Sequence, residues 1–326
     1  MIISRAPLRI SFFGGGTDFP EYFTQESGAV LATAVDKYSF ITASTFHSHL
    51  FDYSLRVSYS KVELGKTIDE LQHPVYRECL RFCNLTGSLE LQAMADLPAF
   101  SGLGSSSTFT VSLLQALHAY KGEYVTPLKL AYEAIFIERR VLGEFVGLQD
   151  QATAALGGFN VLEFRAEDDI KVTPLALSTQ RIAEIEQNLF LVFTGIKRRA
   201  QKIEENKIKN IVSNLDNLRQ MRRMVDKGYD LLVSGKSLSA FGELLAEAWV
   251  SKRRLDDSVS SQEIDDLYSR GIAAGAFGGK LLGAGGGGFL LFIVPPEKRA
   301  AFSDAFKDKH EIKVRIAAPG SQIIFS

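Results

Sequence analysis

Short runs of apolar and β-branched residues, separated by glycine-rich turns, dominate the first half of the chain and predict β-strands. The predicted strands are Ile2–Ser4, Leu8–Phe13, Gly28–Val35, Tyr38–Phe46, Leu50–Ser60, Leu89–Ala93 and Gly157–Phe164. Apolar residues at helical spacing predict helices over Pro74–Thr86, Ser107–Tyr120 and Pro127–Val141. Strands therefore outnumber helices in this half of the chain.

The second half of the chain is richer in helical patterns. Helices are predicted over Lys202–Ser234, Ser239–Leu255, Ile264–Ala274 and Pro296–Lys307, and strands over Phe190–Phe193, Phe289–Val294 and Lys313–Ala317. Because strands and helices do not alternate strictly, we expect a mixed α+β fold rather than a doubly wound parallel sheet. A polar stretch over residues 165–169 lies near the expected boundary between one domain of residues 1–178 and another of residues 179–326.

The composition argues against several classes of protein. The 326 residues carry a formal net charge of −1, so no cationic field draws the chain to nucleic acid or to a membrane. The longest apolar run, Phe289–Val294, is too short to cross a bilayer, and the N-terminus lacks the layout of a signal peptide. We therefore expect a cytoplasmic protein, and the oligomeric state stays open, a homodimer included. The two cysteines, Cys79 and Cys83, are expected to be buried thiols.

The segment from Pro98 to Thr108 carries the clearest chemical signal in the chain. It is a glycine-and-serine loop that leads directly into a predicted helix, so free N–H groups and the positive end of the helix dipole can face an anion. A triphosphate fits this description, although a capped tight turn would have the same composition. No lysine follows Gly104, so the loop is not a Walker P-loop. The candidate nucleotide-binding residues are Pro98, Ser101, Gly102, Leu103, Gly104, Ser105, Ser106 and Ser107.

Two further glycine clusters and one aspartate complete the set of candidate motifs. The first cluster covers residues 14–18, and the second covers residues 283–288, which contain a formal G-x-G-x-x-G. A strand rather than a helix is predicted after that pattern, which argues against a dinucleotide cofactor and a dehydrogenase. Close packing of backbone against a ligand or another loop explains such a glycine run better. The aspartate is Asp150, which could also be an ordinary first-turn acid of a helix.

Three motifs in this order resemble the GHMP kinases, the family of galactokinase, homoserine, mevalonate and phosphomevalonate kinases. The motifs are Ala6–Asp18, Pro98–Ser107 and Lys280–Gly288. The resemblance implies an N-terminal domain similar to domain 2 of ribosomal protein S5 and a ferredoxin-like C-terminal domain. It also implies an enzyme that uses ATP and Mg²⁺ to phosphorylate a small molecule.

The resemblance assigns roles to individual residues. Asp150 would be the general base, and Arg9 would lie beside it and keep it ionised. Ser106 and Glu138 would bind Mg²⁺, as implied by similarity to mevalonate kinase. The acceptor would be held by Asp18 and its neighbours. The full set of candidate substrate-binding residues is Gly14, Gly15, Gly16, Thr17, Asp18, Lys197, Arg198, Gly285 and Gly286.

The form of the first motif points to a particular acceptor. Galactokinases have Gly-Glu-His where this chain has Gly14–Gly16, so galactose is not expected. Gly-Gly-Gly-Thr-Asp resembles heptose 7-phosphate kinases and, next, L-fucokinases, and residues 194–200 resemble the same branch. A sugar that already carries a phosphate needs a cation clamp, for which residues 197–199 are the first choice and residues 252–254 the second. The alternatives are L-fucokinase or another sugar-1-kinase and, from another class, a sensor that binds sugar and ATP without catalysis.

Overall fold

The strands form two sheets in the computed structural model, which describes residues 1–99, 101–196 and 201–326. Within these ranges one sheet has eight strands and the other has four. The larger sheet contains β1 (Ile2–Phe13), β2 (Gly28–Thr45), β3 (Leu55–Ser58), β4 (Val62–Gly65), β5 (Leu89–Ala95), β6 (Phe159–Ala166), β7 (Asp169–Pro174) and β12 (Gln322–Phe325). The smaller sheet contains β8 (Leu189–Phe193), β9 (Gly278–Leu281), β10 (Phe289–Ile293) and β11 (His310–Ile312).

Helices cover both sheets. They are α1 (Pro20–Phe23), α2 (Pro74–Phe82), α3 (Ser105–Tyr120), α4 (Pro127–Ile135), α5 (Gln149–Leu156), α6 (Thr179–Asn188), α7 (Gln201–Lys209), α8 (Leu215–Val233), α9 (Leu238–Arg253), α10 (Gln262–Ala273) and α11 (Arg299–Ala305). A π-helical turn, Phe136–Val141, continues α4, and 3₁₀ turns lie at Ser48–Leu50, Ile68–Glu70, Val212–Asn214, Asp257–Val259 and Pro296–Lys298. Local sequence explains several starts, because Thr126 and Ser178 accept hydrogen bonds from main-chain N–H groups in the first turns of α4 and α6.

The order of the strands places β1 and β2 at the centre of the larger sheet. The order is β12-β1-β2-β5-β3-β4, and the first half of β2 pairs instead with β6, which pairs with β7. All these pairs are antiparallel except β3 with β5. The smaller sheet is antiparallel in the order β11-β8-β10-β9. β10 is buried along its whole length, which explains its uninterrupted apolar sequence.

One hydrophobic cluster joins the two halves of the molecule. It combines Leu8 and Phe12 of β1 with Phe241 of α9 and with Leu282 and Phe289 around the third glycine motif. The rings of Phe12 and Phe241 pack edge to face with centroids 5.4 Å apart. Because side chains of β1 belong to this cluster, it packs the C-terminal half against the strand that carries Arg9.

The predicted α+β fold is confirmed, whereas several element boundaries were wrong. Pro7 does not break the first strand, because β1 continues past it with a shift of register. The long helix expected over 202–234 is two helices, α7 and α8, separated by the turn Val212–Asn214. Residues 313–317 contribute an isolated bridge rather than a strand, and the strand predicted over 50–60 is reduced to β3. Strands β4, β7, β9, β11 and β12 and helices α1 and α6 were missed.

The domain boundary after residue 178 stays a prediction, and one strand from beyond it pairs with a strand of the N-terminal half. Residue 178 lies between β7 and α6, where the larger sheet gives way to the smaller one. However, β12 at the end of the chain returns to pair with β1 at the beginning. In the described ranges no helix combines the length and the apolar character needed to cross a membrane.

Candidate active site

The centre of the site is an ion pair between Arg9 and Asp150. Arg9 lies on β1 and Asp150 in the first turn of α5, and the guanidinium donates to both carboxylate oxygens at 2.7 and 2.8 Å. The remaining guanidinium arm donates to the carbonyl oxygen of Gly102 at 2.8 Å. Arg9 is buried, whereas the side chain of Asp150 keeps 25% of its surface exposed. A carboxylate held in this way is oriented by its partner and still open to an acceptor.

The glycine-and-serine loop lies against this ion pair. A Cβ on Gly104 would be 3.2 Å from a carboxylate oxygen of Asp150 and 3.2 Å from Cγ of Arg9. Gly104 has φ +78°, in the left-handed region that glycine tolerates best, and α3 begins at the next residue. The first N–H groups of α3 have no acceptor within the helix, so this end of α3 can receive an anion beside Asp150.

The second and third glycine motifs touch backbone to backbone. A Cβ on Gly102 would be 2.8 Å from the carbonyl oxygen of Leu282, and one on Gly283 would be 2.6 Å from Cα of Gly102. A Cβ on Gly288 would be 2.5 Å from the carbonyl oxygen of Ser101. Real side chains do not fit at such distances, so these glycines allow one loop to lie directly on the other. The sequence left open whether the glycine run 283–288 packs against a ligand or against another loop. The structure shows that it packs against another loop.

Glu138 and Ser107 form a polar cluster under the start of α3. Ser107 Oγ donates to Glu138 Oε2 at 2.8 Å, and Gln151 Nε2 donates to the same oxygen at 2.5 Å. The other oxygen, Oε1, is buried and has no hydrogen-bond partner among the described residues. Burial raises the pKa of Glu138 to about 7. Ser106, the expected partner of Glu138, is exposed, and its neighbour Ser107 makes the observed contact.

Asp18 is buried beside the ion pair. Its Oδ1 accepts from the N–H of Gly16 at 2.9 Å, and its Oδ2 lies 3.4 Å from the N–H of Gln149. Burial is the main cause that raises the pKa of Asp18 to about 6. The hydrogen bond from Gly16 lowers this pKa, and the negative charges of Asp150 and Glu204 raise it further. A Cβ on Gly147 would be 2.0 Å from Oδ2, so any side chain there would displace the Asp18 carboxylate.

The other residues of the first motif shape the turn before α1. Thr17 Oγ1 lies 2.8 Å from the carbonyl oxygens of both Gly14 and Ala29 and holds the turn to β2. Gly14 packs on the same Ala29 carbonyl, which a Cβ would approach to 1.9 Å. Gly15 is less confined, and a Cβ there would lie 3.7 Å from Nε2 of Gln149.

Three lysines in or beside the third motif donate to main-chain carbonyl oxygens. Lys280 of β9 donates to the carbonyl oxygens of Ser11 and Phe12 at 3.2 and 2.8 Å. Lys252 of α9 donates to those of Leu281, at 2.7 Å, and Gly283. The third, at position 207 of α7, donates to the carbonyl oxygen of residue 284. Burial lowers the pKa of Lys280 to about 7 and that of Lys252 well below its ordinary value.

Some predicted substrate-binding residues pack on other backbone or lie outside the described residues. Gly286 donates its N–H to the carbonyl oxygen of Val259 at 2.9 Å, and a Cβ on Gly285 would be 2.8 Å from Cα of the same valine. Lys197 and Arg198 lie outside the described residues. In the second-choice clamp, Lys252 is buried on main-chain carbonyls, and Arg253 forms an ion pair with Asp265 at 2.7 Å.

Sequence reasoning missed several residues that the fold brings to the site around Arg9 and Asp150. Lys280 belongs to the third motif and Gly147 lies three residues before Asp150, but neither was assigned a role. Glu204 lies on α7, within electrostatic range of Asp18, and nothing in its charged helical surroundings distinguished it. Ser107 was assigned to the nucleotide, and its contact with Glu138 depends on how α3 packs on the π-helical turn.

The described site has the parts that phosphoryl transfer requires, since this reaction depends mainly on positioning the reactants. These parts are a helix start that can receive phosphates, an oriented carboxylate and a buried polar residue, Asp18, beside it. The model of the GHMP kinase N-terminal domain matches residues 70–158, and that of the C-terminal domain matches residues 229–312. A D-glycero-alpha-D-manno-heptose 7-phosphate kinase from Campylobacter jejuni subsp. jejuni is 32% identical over 312 residues, covering 91% of each chain. The chain therefore belongs to the GHMP kinase family. The prediction of an ATP-dependent sugar kinase is confirmed with it.

Solved structures agree on the fold. A D-glycero-D-manno-heptose 1-phosphate kinase from Bacteroides thetaiotaomicron has a TM-score of 0.81 with 24% identity, covering all of both chains. A putative sugar kinase from Campylobacter jejuni has a TM-score of 0.72 with 27% identity, covering 99% of this chain and 98% of that one. The two-domain fold that the resemblance implies is thereby confirmed.

Proposed function

We propose that this kinase transfers the γ-phosphoryl group of ATP to the anomeric hydroxyl of D-glycero-D-manno-heptose 7-phosphate, giving the 1,7-bisphosphate. The observation that supports the reaction is the contact of Gly104, Arg9 and Asp150, which puts the start of α3 within reach of one carboxylate. The choice of substrate rests on the Gly-Gly-Gly-Thr-Asp motif and on a relative named as a heptose 7-phosphate kinase. The product would feed nucleotide-activated heptose for surface glycans.

The mechanism assigns each residue one task. Asp150 accepts the proton of the anomeric hydroxyl as its oxygen attacks the γ-phosphorus and ADP leaves. Arg9 orients Asp150 through two charge-assisted hydrogen bonds to its carboxylate oxygens. Asp18 accepts hydrogen bonds from sugar hydroxyls, and the N–H groups that follow Gly104 hold the phosphates. An anomeric hydroxyl is more acidic than an ordinary alcohol, so a carboxylate base suffices.

Mg²⁺ fits the polar cluster at the start of α3. Glu138 presents Oε1, a buried carboxylate oxygen without a partner among the described residues, and Ser106 lies in the same helical turn as Ser107. Hard oxygen donors together with substrate phosphates are what Mg²⁺ prefers. When bound, the ion would neutralise charge on the phosphates of ATP. Ser107 and Gln151 would hold the Glu138 carboxylate in orientation from the protein side.

Asp150→Asn tests the catalytic assignment. The amide keeps the size of the side chain but cannot take the proton, so turnover should fall by about 10²–10⁴-fold. ATP should still bind, because the start of α3 is unchanged. The control is Asp169→Asn, an exposed aspartate at the start of β7. A coupled assay for ADP release with isothermal titration of ATP separates the two effects, and unchanged turnover in Asp150→Asn would remove the proposed base.

A panel of free and phosphorylated sugars tests the acceptor. Heptose 7-phosphate should be turned over with a far higher kcat/KM than L-fucose or unphosphorylated heptose. The reverse order would establish an L-fucokinase. Arg198→Ala tests the clamp predicted from sequence, because a large rise in the KM for the phosphorylated sugar alone is expected. The nearest described residue, Ile196, accepts a hydrogen bond from the Gly288 amide at 3.1 Å.

The same panel tests the non-catalytic alternative. A sensor would bind sugar and ATP without releasing ADP, whereas the paired Arg9 and Asp150 and the oriented Glu138 favour turnover. We place the reaction in the cytoplasm, where ATP is available, and the homodimer stays a prediction. Equilibrium sedimentation measures that property directly.

A further inference from the structure

Two buried lysines of the C-terminal half use their N–H donors on main-chain carbonyl oxygens. Lys280 is 4% exposed and donates to Ser11 and Phe12, and Lys252 is 6% exposed and donates to Leu281 and Gly283. In the described part of the chain, their hydrogen-bond partners are carbonyl oxygens and not carboxylates. Each lysine therefore holds a specific stretch of backbone.

The stretch held by Lys280 belongs to the other half of the molecule. Ser11 and Phe12 follow Arg9 on β1, so the ammonium fixes the end of the strand that carries the guanidinium. Ser11 lies two residues beyond Arg9, which in a strand places the two side chains on the same face. A displacement of this part of β1 would move the guanidinium, and Asp150 with it.

The backbone held by Lys252 is connected to Arg9 through a second set of contacts. Its carbonyl partners flank Leu282, whose own carbonyl lies against Gly102. Gly102 in turn accepts the remaining hydrogen bond of Arg9 at 2.8 Å. The backbone held by Lys252 thus supports the backbone that fixes the third arm of the guanidinium. Both lysines act on Arg9 from the C-terminal half, one through β1 and one through the interlocked glycine loops.

A structural role alone explains this arrangement poorly. A buried amino group without a carboxylate partner is costly, and replacing such a group by an apolar side chain of similar volume is often neutral or stabilising. Burial disfavours the charged form of both lysines, and Lys280 and Arg9 add repulsion that lowers the pKa of Lys252 and of Lys280. Amino groups retained here at an energetic cost are expected where a site needs precise backbone positions.

We propose that Lys280 and Lys252 are positioning residues for the Arg9–Asp150 pair, holding it in register with the nucleotide loop across the two halves of the molecule. The proposal rests on the proposed role of Asp150 as the general base. Neither lysine touches the acceptor or the phosphates in this role. Their loss should therefore change kcat and leave both KM values nearly unchanged.

Lys280→Met and Lys252→Met test the proposal, since methionine keeps the length of the side chain and removes every donor. A misplacement of about 1 Å in a catalytic group can cost on the order of 10²-fold in rate, so kcat should fall by about 10- to 100-fold. The matched control is Arg181→Met. Arg181 is also buried and donates to the carbonyl oxygens of residues 231, 232 and 236, around the end of α8 and outside the site, and it pairs in addition with Glu184. It should lose stability and keep its kcat.

A double-mutant cycle separates positioning from general damage. If the lysine acts through the base, Lys280→Met should cost less than about 3-fold in kcat in the Asp150→Asn background, because residues that act as a unit are not additive. Lys280→Gln keeps an N–H donor, so it should recover part of the loss in Lys280→Met. It also serves as the measurable variant if the methionine form does not fold.

Three outcomes would overturn the proposal: an unchanged kcat in both methionine variants, an equal loss of kcat in Arg181→Met, or a loss in Lys280→Met that is as large without Asp150 as with it. The cycle is run on whichever sugar the wild type phosphorylates. Failure of the proposed function appears as a wild type inactive on heptose 7-phosphate, whereas failure of this inference appears as fully active lysine variants.

Discussion

Asp18 is expected to reduce the stability of the folded protein, so replacing it by asparagine should stabilise the fold while damaging activity. The carboxylate is 1% exposed, and burial raises its pKa from 3.8 to about 6. At neutral pH the protein must ionise this group in a site where the charges of Asp150 and Glu204 oppose it. Asparagine has nearly the same shape and keeps an oxygen for the N–H of Gly16.

The magnitude follows from linkage between protonation and folding. A folded-state pKa that is raised above the unfolded one stabilises the fold fully below pH 3.8, and this contribution is lost as the pH rises through about 6. One pKa unit corresponds to about 1.4 kcal/mol, so the shift amounts to about 3 kcal/mol at pH 7 and above. The free energy of unfolding of Asp18→Asn should therefore exceed that of the wild type by near zero at pH 4 and by about 3 kcal/mol at pH 8. Any weakening of the 3.4 Å contact with the N–H of Gln149 would reduce this difference.

Urea denaturation at several pH values between 4 and 8 measures this difference. Comparing wild type and Asp18→Asn at each pH cancels the titration of the other groups. Asp96→Asn is the matched control, because Asp96 is exposed and also accepts one main-chain N–H, from Tyr38. The acceptor kcat/KM of Asp18→Asn should fall at least 10-fold at the same time. A stability difference that does not depend on pH, or a less stable Asp18→Asn at pH 8, would refute the electrostatic account.

Three further results are expected. Gly104→Ala should lower kcat at least 10-fold in a steady-state assay, because alanine is strained at φ +78° by about 1–2 kcal/mol and its Cβ would press on the ion pair. Ser107→Ala should raise the Mg²⁺ concentration needed for half-maximal activity several-fold, since Glu138 loses an orienting hydrogen bond. Cys79 and Cys83 should react with a disulfide reagent only after denaturation, because burial raises the pKa of Cys83 to about 12 and that of Cys79 well above its ordinary value.

The local sequence determined the loops on which the site is built. The Gly102–Ser107 pattern predicted a turn into a helix with an open start, and α3 begins at Ser105. Glycines that need positive φ or a close approach have a local signature, because most other residues adopt those conformations only at an energetic cost. The three motifs together were also specific enough to identify the family, since each is rare in combination with the others.

Element boundaries were less accessible to sequence reasoning. Pro7 ends a strand by its local preference, but β1 continues because β2 pairs with it on both sides of that residue, whereas β12 pairs only with the residues before it. The edge strands β4 and β12 are short and partly exposed, so they lack the alternating pattern that identifies a strand. Pairing with a distant partner decided these elements.

The sequence by itself determined which groups could do the chemistry: a carboxylate, a guanidinium, a helix start made of serines after a glycine, and three glycine loops. Only the tertiary structure decided which of them meet. The bond from Arg9 to Gly102 and the reach of Lys280 to Ser11 join residues 93 and 269 positions apart. Contacts at such separations depend on how two sheets pack across one hydrophobic cluster, and no local pattern along the chain carries that information.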